Sequence, residues 1–330
     1  LIISRTPLRL SLAGGGTDYV PYLKSGNPGL VVGSTIDKYI YICLKGLPPF
    51  FEYKTQISYS RIEQVESNND IQHKVFRDVI RYFGLEGEGL DITHLSECPS
   101  KVGVGSSSAF IVGLVNALHT WKTQNRLTGK ELYDTSVHLE QNVLQESVGL
   151  QDSAWAAFGG LNYIRFAAGS GEPSVWPLGL KRPVLEELNN NLLLFFTGTT
   201  RTASQIASSY IGTLKDKKEL QNNIYTIADK SIEALLDGDT DLVGRLMNQG
   251  WINKRALSPN ISSSTIDELW KTCMAAGAIG FKLVGAGGGG CILVYAPSHK
   301  RQNVRRALDT LIEIPFSFES NGSQIIFQSE

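Results

Sequence analysis

The sequence predicts an α+β protein built as two halves. Three observations lead there. A chain of 330 residues with 42% hydrophobic content can bury more core than one small domain needs. Strand-period and helix-period segments alternate irregularly, unlike the regular alternation of a doubly wound sheet. A loop rich in Gly, Pro and Ser, "AAGSGEPSVWPLG" at 167–179, interrupts both patterns. The expected domains are 1–180 and 181–330.

The elements follow in order. Leu8, Leu10 and Leu12 alternate with Arg9 and Ser11, the pattern of a half-buried strand, which runs into Gly14, Gly15 and Gly16. "GLVVGSTI" (29–36) and "YIYICL" (39–44) read as two strands separated by Asp37 and Lys38. "ITHLSECPS" (92–100) reads as a strand and turn, 108–122 as a helix apolar nearly all round, and 129–149 as an amphipathic helix. A strand at 159–166 closes the first half. The second half holds a buried strand at 191–198 and helical stretches between 203 and 276. Two strands around a glycine loop, a helix from about 298 and two short strands complete it.

Composition narrows the function. The net charge is −1, from 31 basic and 32 acidic residues, which argues against nucleic acid or an anionic membrane as partner. The four cysteines are far apart and have no metal-ligand or redox spacing, as expected of a reducing compartment. "LLLFF" (192–196) is the longest strongly apolar run, far short of the ~20 residues that span a membrane. No leader is evident. A cytoplasmic protein acting on small molecules is expected, with a homodimer left open.

Three glycine loops carry the chemistry. The first, "LRLSLAGGGTDY", ends a strand on backbone without side chains and then on Asp18; it fits a tight turn or the close approach of a ligand. The second, "PSKVGVGSSSAF", places Gly103, Val104 and Gly105 before Ser106, Ser107 and Ser108 at the start of a helix. Free backbone N–H groups there suit phosphate, and a serine hydroxyl can ligate phosphate-bound magnesium. Serine capping of the helix is the competing reading. Neither loop is a Walker A or a Rossmann fingerprint. The third, "GAGGGG" (285–290), has more glycines than a hairpin needs, so another group must approach closely.

In this order and placement, "TPLRLSLAGGGTDY", "PSKVGVGSSSA" and "KLVGAGGGG" resemble the three motifs of the GHMP kinases (galacto-, homoserine, mevalonate and phosphomevalonate kinases), over essentially the whole chain. The resemblance implies an N-terminal domain like ribosomal protein S5 domain 2 and a ferredoxin-like C-terminal domain, with ATP between them. It implies that residues 103–108 hold the ATP phosphates, and that Glu140 and Ser107 hold Mg2+; Lys101 stands where small residues are expected, and either touches the ATP phosphates or is simply exposed. Asp152, twelve residues after Glu140, would act at the attacking hydroxyl with Arg9 beside it. Gly14, Gly15, Gly16 and Asp18 would receive a sugar, with Gly287 and Gly288 of the third loop also at the substrate. His138 reads as an ordinary helix residue.

The substrate is read from departures within the family. Galactokinases carry Glu-His where this chain has Gly15-Gly16, which argues against galactose. "FFTGTTRTASQIASS" (195–209) and "GWINKRALSPNIS" (250–262) are similar to segments of D-glycero-D-manno-heptose 7-phosphate kinases, which phosphorylate the anomeric hydroxyl. Thr197, Thr199, Arg201, Thr202 and Ser204, with Lys254 and Arg255, would then cradle the phosphate already on the substrate. A polar helix cap and a solvated basic face are the alternative. Two other functions stay open: a kinase for another sugar such as L-fucose, and a binding protein that has lost catalysis.

Overall fold

The computed structural model describes residues 1–199 and 217–329. The first half contains β1 (Ile2–Gly14), α1 (Val20–Lys24), β2 (Gly29–Gly46), β3 (Thr55–Ser58), β4 (Ile62–Val65), α2 (Lys74–Tyr82) and β5 (Leu90–Ser96). It continues through α3 (Ser106–Thr123), α4 (Gly129–His138), α5 (Gln151–Phe158), β6 (Leu161–Phe166) and β7 (Pro173–Pro177). Then come α6 (Arg182–Asn191), β8 (Leu192–Phe196), α7 (Lys218–Asp237), α8 (Thr240–Arg255), α9 (Ser264–Ala275), β9 (Gly280–Leu283) and β10 (Cys291–Tyr295). α10 (Arg301–Ala307), β11 (Ile312–Glu313), β12 (Phe318–Glu319) and β13 (Gln324–Gln328) end the chain.

Two sheets organise these elements. The larger has nine strands, ordered β13-β1-β2-β5-β3-β4; β6 and β12 pair with the N-terminal stretch of β2, before the stretch that pairs with β5, and β7 pairs with β6. The smaller runs β11-β8-β10-β9 and is antiparallel throughout. The expected boundary at 180 falls between β7 and α6. The last two strands cross back over it: β12 pairs with β2 and β13 with β1.

The two strands expected at 29–36 and 39–44 are one strand of 18 residues. Pro7 pairs with Tyr39 and Leu8 with Ile36, so Asp37 and Lys38 form a bulge rather than a turn. The helix expected over 129–149 also differs. α4 stops at His138, and Leu139–Val143 continues as a single π-helical turn that carries Glu140. Such turns recur at functional sites because they turn a side chain out of helical register.

α3 packs on β1 and β2, and its residues from Ser108 to Leu118 are buried on every side, as its apolar sequence requires. α5 is fixed by Trp155, which is fully buried against Gly33 of β2; a Cβ there would collide with the indole. This contact sets the position of the N-terminus of α5, and with it Asp152.

Candidate active site

The end of β1, the second loop, the π turn and the start of α5 converge on one place. Arg9 is 4% exposed and donates from Nε to Asp152 Oδ1 and from Nη2 to Asp152 Oδ2, each at 2.8 Å. Two parallel charge-assisted hydrogen bonds fix both groups in orientation as well as in distance. The third nitrogen, Nη1, donates to the Gly103 carbonyl, and the Arg9 backbone N–H donates to Val104 O at 3.0 Å. The second loop is therefore held on the same arginine that holds Asp152. Gly105, in left-handed conformation at φ 77°, caps α3 without a side chain, and no acidic residue occupies the first turn. Serine capping is thus replaced by open backbone N–H groups suited to an anion. Lys101, also left-handed at φ 64°, is exposed at the rim of this loop.

Glu140 lies beneath, 1% exposed. Its carboxylate accepts hydrogen bonds from Ser108 Oγ at 2.6 Å and Ser153 Oγ at 2.5 Å. Burial pushes its carboxyl up to about 7, helped by the nearby Asp152 charge and opposed by the two serine hydroxyls. Ser107, expected to share a metal with Glu140, is exposed, and Ser108 is the serine that meets the carboxylate. The reason is helical geometry: consecutive residues point about 100° apart, so only one of the three serines can face the π turn. Neither Ser108 in this role nor Ser153 had a sequence signal that separated it from its neighbours. Among the described residues no cluster of three or more His, Cys, Asp or Glu could hold a metal by itself. A single buried carboxylate with hydroxyls fits magnesium arriving with nucleotide, because that ion keeps phosphate and water oxygens in its shell.

The first glycine loop is a turn of three left-handed residues, with φ of 76°, 79° and 96° at Gly14, Gly15 and Gly16. A side chain at Gly14 would overlap the Leu30 carbonyl, whereas Gly15 and Gly16 face the side chains of Gln151 and Leu257. Asp18 was expected to reach substrate hydroxyls. It is instead fully buried and braces the turn, with Oδ1 accepting from Gly16 N at 2.9 Å and Oδ2 from Gln151 N at 3.2 Å. Burial, then the Asp152 charge, raises its carboxyl above the ordinary range.

In the third loop the close approach comes from the protein itself. A Cβ at Gly285 would strike Gly103, one at Gly287 would strike Ile261, and one at Gly290 would strike the Val102 carbonyl. Cys291 N donates to Val102 O, and Gly288 N to Ile261 O, both at 2.9 Å. Gly287 and Gly288, expected at the substrate, are buried in this backbone seam between the two halves.

The basic residues separate. Lys254, 8% exposed, donates to the Gly285 carbonyl; burial and then Arg9 bring its amine down to about 8, against the pull of Asp18 and Asp152. Arg255 is committed elsewhere, paired with Asp267 at 2.6 Å and lying 5.1 Å over Trp270. Lys282, which the sequence did not single out, is 5% exposed on β9; its Nζ donates to Leu12 O at 3.3 Å and Ser11 Oγ at 3.4 Å, behind the first glycine turn. Arg201, Thr202 and Ser204 lie outside the described residues. Thr197 and Thr199 lead towards them along the third loop, Thr197 Oγ1 donating to Gly290 O at 2.7 Å. His138 is exposed and bonded to Asn142.

Comparison with known proteins gives the family. Residues 70–160 match the GHMP kinases N terminal domain and residues 231–313 the GHMP kinases C terminal domain. The chain belongs to the GHMP kinases. It is 30% identical over 318 residues, 93% of each chain, to the D-glycero-alpha-D-manno-heptose 7-phosphate kinase of Campylobacter jejuni. Its fold matches the crystal structure of a D-glycero-D-manno-heptose 1-phosphate kinase from Bacteroides thetaiotaomicron with a TM-score of 0.80 and 27% identity, covering 99% of this chain and 100% of that one. An L-fucokinase/L-fucose-1-P guanylyltransferase of Bacteroides fragilis is 25% identical across 90% of this chain and 34% of that protein.

Proposed function

We propose that this kinase transfers the γ-phosphoryl group of ATP to the anomeric hydroxyl of D-glycero-D-manno-heptose 7-phosphate. The observation that carries the reading is the doubly bonded Arg9–Asp152 pair, held by the second loop through the Gly103 carbonyl and preceded by Gln151, which lies against the glycine turn. ATP phosphates would lie over the N-terminus of α3, with Ser106 and Ser107 at its mouth and Lys101 at its rim. Glu140, braced by Ser108 and Ser153, would hold Mg2+, which would supply positive charge to offset that of the phosphates. Asp152 would orient the attacking hydroxyl and accept its proton. An anomeric hydroxyl is more acidic than an ordinary alcohol, so one carboxylate suffices without a histidine relay. Arg9 and Lys254 would stabilise charge on the transferring group. Arg201 would grip the phosphate already on the substrate, where a planar guanidinium can bind two oxygens at once.

The similarity to the heptose phosphate kinases over nearly the full chain supports this substrate. L-Fucose is the second reading, favoured by the match that spans 90% of this chain. The proposal includes a cytoplasmic location, which the need for ATP and the four free cysteines support. The test is ATP-dependent phosphorylation across heptoses, their 7-phosphates, L-fucose and galactose. Turnover confined to the 7-phosphate supports the proposal; preference for L-fucose replaces it with the second reading.

A further inference from the structure

Gln151 stands immediately before Asp152 and against the first glycine turn. Its backbone N–H donates to Asp18 Oδ2, which anchors the residue at the floor of the site. Its carboxamide lies over Gly15, where a Cβ would sit 3.5 Å from Nε2 and 3.9 Å from Oε1. That amide oxygen is buried, and no described residue donates to it. The neighbouring donors are directed elsewhere: Gly16 N to Asp18, Ser11 Oγ to Ala13 O, and Lys282 Nζ to Ser11 and Leu12 O. Buried acceptors are rarely left empty in native proteins.

We propose that Gln151 is a specificity-determining residue that reads one hydroxyl of the sugar lying on the Gly15–Gly16 turn. Its Oε1 accepts the hydroxyl hydrogen, and its Nε2 donates to an adjacent sugar oxygen. This rests on the sugar-kinase reading above and adds the group that selects the sugar. A carboxamide presents an acceptor and a donor side by side, which matches two neighbouring hydroxyls. It does so without charge, and so leaves the Arg9–Asp152 pairing undisturbed. With Asp18 turned to backbone, Gln151 is the side chain at this turn with an unused acceptor. A site built to bond a hydroxyl rejects the analogue that lacks it, because its own polar group is then stranded.

The experiment compares kcat/KM for the accepted sugar and each of its monodeoxy analogues, in the wild type and in Gln151→Met. The wild type should lose roughly 10- to 100-fold on one particular analogue. Gln151→Met should fall by a similar factor on the parent sugar and no further on that analogue, so that discrimination at that hydroxyl disappears while the KM for ATP is unchanged. Equal losses on the parent and on every analogue, with discrimination kept, would make Gln151 structural and overturn the inference. The wild-type panel is decisive even if the variant fails to fold: no single deoxygenation costing more than about threefold would also overturn it. Failure of the wild type to phosphorylate any sugar would be a different result, removing the sugar-kinase reading itself.

Discussion

Arg9 and Asp152, 143 residues apart in the chain, meet through two parallel hydrogen bonds of 2.8 Å. The pairing fixes the carboxylate beside the second loop, which the same arginine holds through Gly103 and Val104. It also defines what removing the charge should do. Asp152→Asn keeps the shape but cannot accept a proton from the attacking hydroxyl. Turnover should fall by about 10²–10⁴-fold, while calorimetric titration still shows binding of nucleotide and sugar. Near-normal turnover would remove Asp152 from the reaction.

Glu140 and its two serines make a prediction about metal. Glu140→Gln should weaken the magnesium-dependent part of ADP binding and leave metal-free ADP binding nearly unchanged. Ser108→Ala should share this phenotype in milder form, since a hydrogen bond to a charged group contributes about 1.5–3 kcal/mol. Titrations of ADP with and without magnesium check both. If Ser107→Ala affected metal dependence more than Ser108→Ala, the exposed serine would be the one at the metal.

Lys254 sets an alkaline limit. Its amine is brought down to about 8 by burial and by Arg9, so it is charged below that pH and neutral above. Turnover should decline as pH rises through 8, and Lys254→Met should lower the plateau and abolish that limb. Stability runs the other way. An unfolded lysine titrates near 10.4, so between about 8 and 10.4 the unfolded chain binds more protons, and this residue makes the fold more stable as pH rises. Urea midpoints of wild type and Lys254→Met at pH 7.5 and 9.5 test the sign. A wild-type advantage that shrinks at the higher pH would contradict it.

The glycines of the first two loops should differ in what they tolerate. Gly103→Ala places a methyl on the Val284 carbonyl and forces φ of 87°, which should open the seam between the second and third loops. Gly15→Ala has room beside Gln151 and carries only the strain of φ 79°. Thermal unfolding should show a larger loss for Gly103→Ala. Gly15→Ala should raise the KM for sugar more than that for ATP.

Much of this site was legible in the sequence because it is local. Leu8 to Gly16 shows a strand entering a turn, and the spacing of Glu140 and Asp152 between a buried helix and a strand matches the family pattern. What stayed hidden depends on contacts between distant segments. No period in the sequence shows Asp18 turning inward to Gly16 and Gln151. Nor does any show the third loop packing its glycines on Gly103 and Ile261 rather than on substrate. The π turn at Glu140 looked like continuing helix because its composition does not change there. Asp37 and Lys38 looked like a turn because charge usually breaks a strand, yet a bulge can carry them to the edge of the pairing. Lys282 lay unnoticed in an apolar strand, where a buried lysine is legible only once its neighbours are known.

The Arg9–Asp152 site is proposed to phosphorylate the anomeric hydroxyl of a sugar that already bears a phosphate. Phosphorus NMR of a reaction containing ATP, magnesium and D-glycero-D-manno-heptose 7-phosphate tests it most directly. A new anomeric phosphate resonance should appear beside the retained 7-phosphate, grow as ADP appears, and be absent with Asp152→Asn. Consumption of ATP with L-fucose while the heptose 7-phosphate spectrum stays unchanged would contradict it.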